Sequence, residues 1–289
     1  MPYNPNLVYI SHSKIGDFSK CPQLYFLRSV YKDPKTRYKM QIITPALALG
    51  SIVHDILDSF LNNEPSERTN ILLYNTFKSY WKNIEGEKGG FLTEDTEKEY
   101  KERAIKMLKN FFDTKDFLFK KRLKTSTFPK YDLGKDMVVN GKLDWVEMDG
   151  DYFHIVDFKT GRNEEKDNSL QMPIYSLLVQ NEFKTEKIKS SYWYLDSSPT
   201  PILFNLPEKE KTLSELIFWG ERIKLAHETS SFRCKSGGDF CWACKDFVRV
   251  KNGEGKIVSV DHNRSQNIYI LKDENRPIQE TESNEALPF

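Results

Sequence analysis

With 289 residues, of which 38% are hydrophobic and 13% aromatic, the chain is long enough to bury one substantial core. It has no run of about 18 apolar residues, which argues against a membrane span. Its 43 basic and 42 acidic residues leave a net charge of +1, so a local basic surface must carry any contact with nucleic acid.

In chain order, the apolar periodicity predicts helices over 13–30, 45–61, 67–81 and 95–112. Strand character follows near 136–147 and 151–159, where Val, Ile, Phe, Tyr and Trp dominate. The Asp149-Gly150 pair between them is a hairpin signal, so the two strands should pair antiparallel. A helix near 168–180, strands near 190–195 and 201–206, and a helix over 208–229 complete a chain of α/β class. Segments 245–250, 256–260 and 268–271 read as a small β appendage. The end of the chain, from Asp273 to Phe289, is polar and acidic, with the composition of a disordered tail.

The chemistry concentrates in Gly141-Lys142-Leu143-Asp144-Trp145 and Ile155-Val156-Asp157-Phe158-Lys159-Thr160-Gly161. Side chains alternate along a strand, so Asp157 and Lys159 share one face while His154 points to the other. Buried carboxylates need a cation or hydrogen bonds, and Asp144 with Asp157 offers the hard oxygen pair that Mg²⁺ or Mn²⁺ prefers. A lysine two residues past a metal-binding Asp can orient the attacking water or stabilise charge on a phosphate. The alternative is a surface hairpin carrying an ordinary ion pair, which is common in a chain with 29% charged residues.

Two flanking segments set that hairpin in context: Gly50-Ser51-Ile52-Val53-His54 upstream and Gln171-Met172-Pro173-Ile174-Tyr175 downstream. Together these residues resemble the RecB-like branch of the PD-(D/E)XK nuclease superfamily, in which GxxxH, GxxD, DxK and QxxxY follow one another in this order. The resemblance implies a restriction-endonuclease-like α/β core with a mixed central sheet. It further implies that His54, Asp144, Asp157 and the Phe158 carbonyl hold the metal, and that Lys159 is the catalytic lysine. Gln171 and Tyr175, four residues apart on one helical face, would brace that site. A core histidine on an amphipathic helix is the alternative for His54.

All four cysteines form the second signal: Cys21 stands alone, and Cys234, Cys241 and Cys244 cluster as C-x6-C-x2-C. A distant amino-terminal cysteine joined to a carboxyl-terminal trio is similar to the iron–sulfur staple of AddB-type and CRISPR-adaptation nucleases. The opening Ile10-Ser11-His12-Ser13, leading to Cys21-Pro22-Gln23-Leu24-Tyr25, resembles theirs too. A [4Fe–4S] cluster is the first expectation, a structural Zn²⁺ the second and free thiols the third, because here Cys234 precedes the close pair rather than following it. Without a secretory leader the chain reads as cytoplasmic, and disulfides are not expected.

The expected organisation is one nuclease domain over 1–271, with a helical insertion over about 62–130, the cysteine segment at 234–244 and an acidic tail over 272–289. Between Lys115 and Lys135, the cations Lys120, Lys121, Arg122, Lys124 and Lys130 alternate with Phe117, Phe119, Phe128 and Tyr131. That composition suits phosphate contact and base stacking on a single strand, or else a plain solvated face. The tail ends Leu287-Pro288-Phe289, similar to the acidic tips with which single-stranded-DNA-binding proteins recruit partners in recombination, repair or replication, though a solubilising tail has the same composition. Three functions follow: a divalent-metal-dependent deoxyribonuclease acting on single strands or DNA ends, an inactive scaffold of the same fold, or a zinc-stapled nucleic-acid-binding protein.

Overall fold

The computed structural model describes residues 7–272, so the acidic tail with Pro288 and Phe289 lies outside the described residues. Strand β1 (Val8–Ile10) leads into α1 (His12–Lys20), and α2 (Pro22–Tyr25) runs on through a π-helical turn, Phe26–Val30. The single helix expected over 13–30 is therefore broken at Cys21, whose backbone is extended at φ −164° and ψ 122°. The cause is Pro22: its ring excludes the helical conformation from the preceding residue, while its fixed φ suits the first position of the next helix. Strand β2 (Lys39–Ile42), which sequence periodicity did not reveal, precedes α3 (Pro45–Leu61). Helix α3 has the predicted limits, with the Thr44 hydroxyl accepting from the Leu47 amide and Pro45 at the first position.

Helices α4 (Asn70–Trp81), α5 (Glu94–Asp113) and α6 (Lys115–Leu118) lie between α3 and the sheet strands. The expected strand over 136–147 proves to be two. After β3 (Lys130–Gly134), β4 (Met137–Asn140) joins a sheet ordered β1-β4-β3, while β5 (Trp145–Asp149) enters a different one. The chain breaks between them at Gly141, where an added Cβ would lie 3.1 Å from both Leu178 and Tyr175. Asp144 consequently stands in a bend ahead of β5, not within a strand.

Strand β6 (Tyr152–Lys159) returns antiparallel to β5 across the predicted Asp-Gly turn, with Gly150 at φ +60°. Helix α7 (Gln171–Phe183) then crosses over to β7 (Ile188–Tyr194), which pairs parallel with β6, and β8 (Ile202–Phe204) adds an antiparallel edge. The result is the expected mixed sheet, ordered β5-β6-β7-β8. Helix α8 (Lys209–Glu228) follows, then α9 (Lys245–Lys251), β9 (Lys256–Asp261) and β10 (Gln266–Ile270). Segment 245–250, expected as strand, is helical, capping the cysteine segment from Cys244 onward. The appendage is not local either, since β10 pairs parallel with β2 from the other end of the chain.

One face of the central sheet, carrying Trp145, Val156, Phe158 and Trp193, packs against α3, α4 and α5, and the other packs against α7 and α8. Phe117 belongs to the first of these cores, with its ring 4.7 Å from that of Trp145 and 5.1 Å from that of Trp193. It is therefore unavailable for base stacking, whereas Phe119 and Phe128 are exposed. No helix among the described residues is long and apolar enough to cross a membrane.

Candidate active site and cysteine cage

Asp157 and Lys159 project together from the end of β6, as strand alternation requires, and both are buried. On the opposite face, His154 donates through Nδ1 to the Glu147 carboxylate at 3.1 Å and meets the Ser191 hydroxyl through Nε2 at 2.7 Å. Glu147 is held further by Lys120 at 2.7 Å and by the Trp145 indole at 3.1 Å. This acid–histidine–serine chain has the connectivity of a hydrolytic triad, but Ser191 is 1% exposed, so the chain satisfies a polar core and offers no nucleophile to solvent.

Helix α3 brings His54 to the sheet end because Gly50, one turn earlier, lets it approach Thr160: a Cβ there would come within 3.2 Å of the Thr160 hydroxyl. His54 Nδ1 meets Asp144 Oδ1 at 3.1 Å, and the second Asp144 oxygen accepts the Phe158 amide at 3.0 Å. Asp144 is thereby fixed between α3 and β6 although it belongs to neither.

Gln171, at the start of α7, donates through Nε2 to Asp157 Oδ1 at 3.0 Å and to the Tyr175 hydroxyl at 3.1 Å. Its carbonyl oxygen accepts from Lys159 Nζ at 2.5 Å. Lys159 also meets Asp157 Oδ2 at 3.2 Å and Glu165 Oε1 at 2.8 Å. An ammonium has three N–H donors, and here the chain uses all three.

The electrostatics follow from burial plus these partners. Burial drives the Asp157 carboxyl up to about 7, with the Asp144 charge adding to the rise and Lys159 opposing it. Burial acts the same way on Asp144, but the His54 charge, with hydrogen bonds from His54 and the Phe158 amide, outweighs it and holds the carboxyl below its ordinary value. Burial would lower His54, but the charge and hydrogen bond of Asp144, with the Asp157 charge adding to them, outweigh it and raise the group to about 9. Lys159 is held above the ordinary lysine value by Asp157 and Glu165 against burial, so it is a cation and a proton donor, not a base.

Two residues that sequence reasoning did not single out adjoin this network. Glu165, in the loop between β6 and α7, has a 1% exposed side chain, and its Oε2 is buried with no hydrogen-bond partner among the described residues. His12, at the start of α1, is lowered to about 4 by burial, with the charges of Glu165 and Lys159 acting on it in opposite senses. Glu165 carries no sequence signal, since a loop residue has no periodicity to mark where it points, and His12 lies in the opening segment without a cue that it faces this site.

His54, Asp144 and Asp157 form the hard N/O donor set that a divalent cation takes, and the elevated Asp157 marks two carboxylates crowded in low dielectric, an arrangement that a cation relieves. The residues therefore fit Mg²⁺ or Mn²⁺.

The basic stretch is only partly available to a ligand. Lys120 is committed to Glu147, and Arg122 to Asp58 at 2.5 Å and the Leu143 carbonyl at 3.3 Å. Lys121, Lys124 and Lys142 line a cavity with Asp58, Arg68 and the 123–127 loop. That cavity abuts the site, as Asp58 lies one turn beyond His54 and Leu143 precedes Asp144.

The four cysteines converge between α2, the 230–244 segment and α9, with all their sulfur atoms within 4.8 Å of one another. Cys21 and Cys244 are fully enclosed, and none of the four is in a disulfide. Four thiols in this array can hold a metal.

Against solved structures, the chain is similar to a crystal structure of an exonuclease candidate from Eubacterium rectale, at 15% identity and a TM-score of 0.49, covering 82% of this chain and 87% of that one. No curated protein sequence matches it. Residues 9–245 match the family model of the PD-(D/E)XK nuclease superfamily, a span that takes in His54, the β5–β6 hairpin, α7 and all four cysteines, and the chain belongs to that superfamily.

Proposed function

We propose that this protein is a divalent-metal-dependent deoxyribonuclease that hydrolyses phosphodiester bonds, acting as an exonuclease on single strands or DNA ends during recombination, repair or DNA processing. The observation that carries this reading is the closed chain of contacts Tyr175–Gln171–Asp157–Lys159, set beside the His54–Asp144 pair at one end of the central sheet. His54, Asp144, Asp157 and the Phe158 carbonyl would hold Mg²⁺ or Mn²⁺, which when bound supplies Lewis acidity and lowers the pKa of bound water.

The chain's own residues do the rest. Lys159 Nζ, held protonated, would present an N–H to the attacking water or to the oxygen on which charge grows once one of its three contacts opens. Gln171 fixes that ammonium against Asp157, and Tyr175 fixes Gln171, so the donor is oriented before substrate arrives. Asp157 does not serve as the acid, because as a ligand it is ionised.

The test is cleavage of end-labelled single- and double-stranded DNA with Mg²⁺, Mn²⁺ or EDTA, comparing the wild type with Asp157→Ala. Divalent-dependent cleavage that falls at least about a thousandfold in the variant supports the reading. A folded, metal-loaded wild type that cleaves neither DNA overturns it.

A further inference from the structure

We infer that the four cysteines form a structural Zn²⁺ site and not the iron–sulfur cluster that their spacing suggests. The Sγ separations decide this: Cys21 to Cys234 is 3.8 Å, Cys234 to Cys244 is 3.7 Å and Cys241 to Cys244 is 3.7 Å. Four thiolates each about 2.3 Å from one Zn²⁺ in tetrahedral array stand about 3.8 Å apart. In a cubane each thiolate binds a different iron, with the sulfide core between them, so the four sulfurs stand roughly 6 Å apart. A cage whose sulfurs all lie within 4.8 Å of one another is too small for that core and the right size for a single ion.

The surroundings agree. Cys241 and Cys244 make the C-x2-C turn of a zinc site, closed by the Cys241 amide donating to Cys244 Sγ at 3.2 Å. Amides of Gln23, Leu24 and Lys235 donate to Cys21, and the Ser236 amide and hydroxyl serve Cys234. Such N–H and O–H donors offset the excess negative charge of four thiolates on one dication. Around them Leu24, Leu27, Met40, Phe247 and Tyr269 exclude water, so the ion sits inside the third hydrophobic core of the molecule. This core joins α2, β2, α9 and β10, the two ends of the described chain. The contact between Cys21 and Cys234 spans 213 residues, so the ion acts as a tie and has no redox task.

The full chain, purified anaerobically without chelators from iron-replete cells, is assayed for zinc, iron and acid-labile sulfide, its visible spectrum is recorded, and X-ray absorption is measured at the metal edge. The expected result is about one zinc per chain, a colourless sample, and a single sulfur shell near 2.3 Å with no metal–metal scattering. Cobalt in its place should give the intense visible bands of a tetrahedral thiolate site, and Cys241→Ser should reduce bound zinc several-fold. Iron and sulfide in near-equal amounts with a broad brown absorbance, or four free thiols and no metal, would overturn the assignment. None of these readouts depends on cleavage of DNA.

Discussion

Metal loading at the candidate active site should depend steeply on pH, because two of its ligands carry protons in the metal-free protein. His54, raised to about 9, and Asp157, raised to about 7, must both lose a proton before they can ligate. Near pH 7 only a small minority of molecules have both groups free, and that minority shrinks in acid and grows in base. Since both groups bind protons more tightly here than in water, acid must weaken metal binding and base must strengthen it. Apparent affinity for Mn²⁺ should thus rise by about one to two orders of magnitude from pH 6 to 7, and by less from pH 7 to 8. Calorimetric titration in buffers of different ionisation heat reads this directly, as one to two protons released per ion, approaching two below pH 7. His54→Gln should bind more weakly and keep only the Asp157 dependence, about fivefold from pH 6 to 7. An affinity flat between pH 6 and 8, with no proton release, would refute the ligand roles of both residues.

Two further outcomes separate the residues around the site. Glu165→Gln removes one of the charges that raise Lys159, so the alkaline limb of the pH–rate profile should move to lower pH; an unmoved limb would show that Glu165 does not act on the lysine. The double variant Lys121→Gln, Lys124→Gln should weaken binding of single-stranded DNA in EDTA and flatten its salt dependence by about 1.4 in log–log slope, whereas Lys120→Gln should lower the melting temperature and leave that slope alone. The contrast rests on Lys120 being spent on Glu147. Equal slopes for all three proteins would remove the cavity from the DNA path.

Much of this arrangement is legible in the sequence because it is local. The limits of α3 follow from Thr44 and Pro45, the β5–β6 hairpin from Asp149-Gly150, and the pairing of Gln171 with Tyr175 from a helical repeat. The errors arise where a distant partner decides. Residues 136–147 have uniform strand character, yet Gly141 must pass against α7, which divides them between two sheets and leaves Asp144 in a bend. Segment 245–250 looks apolar enough for a strand, but the cysteine turn launches it as a helix. Cysteine spacing pointed to the four cysteines as one group; the small size of their array depended on sulfur–sulfur distances that spacing does not encode. Glu165 was invisible because only the tertiary fold turns that loop onto Lys159.

On the proposed reading, the charges of the site can balance both without and with a divalent ion. Asp144, Asp157 and Glu165 would carry three negative charges against the two positive charges of Lys159 and His54, and an uncompensated buried charge is costly. Without metal, the proton that Asp157 retains at about pH 7 brings the sum to zero. With a divalent ion bound as proposed, His54 and Asp157 would release their protons, and the two positive charges gained would replace the two lost, so the sum would again be zero. A phosphodiester brings one more negative charge and needs a donor, yet all three protons of Lys159 are already taken, one of them by the loop-borne Glu165. Of its three partners, Glu165 is the one that can yield, since Asp157 is tied to β6 and Gln171 to α7. Glu165 is held in place by Lys159 through Oε1 and by the Tyr194 hydroxyl, which accepts its amide at 2.8 Å. If Lys159 is to meet a phosphate, one of its three contacts must open, and Glu165→Gln, which removes the charge holding one of them, is the variant that reports on it.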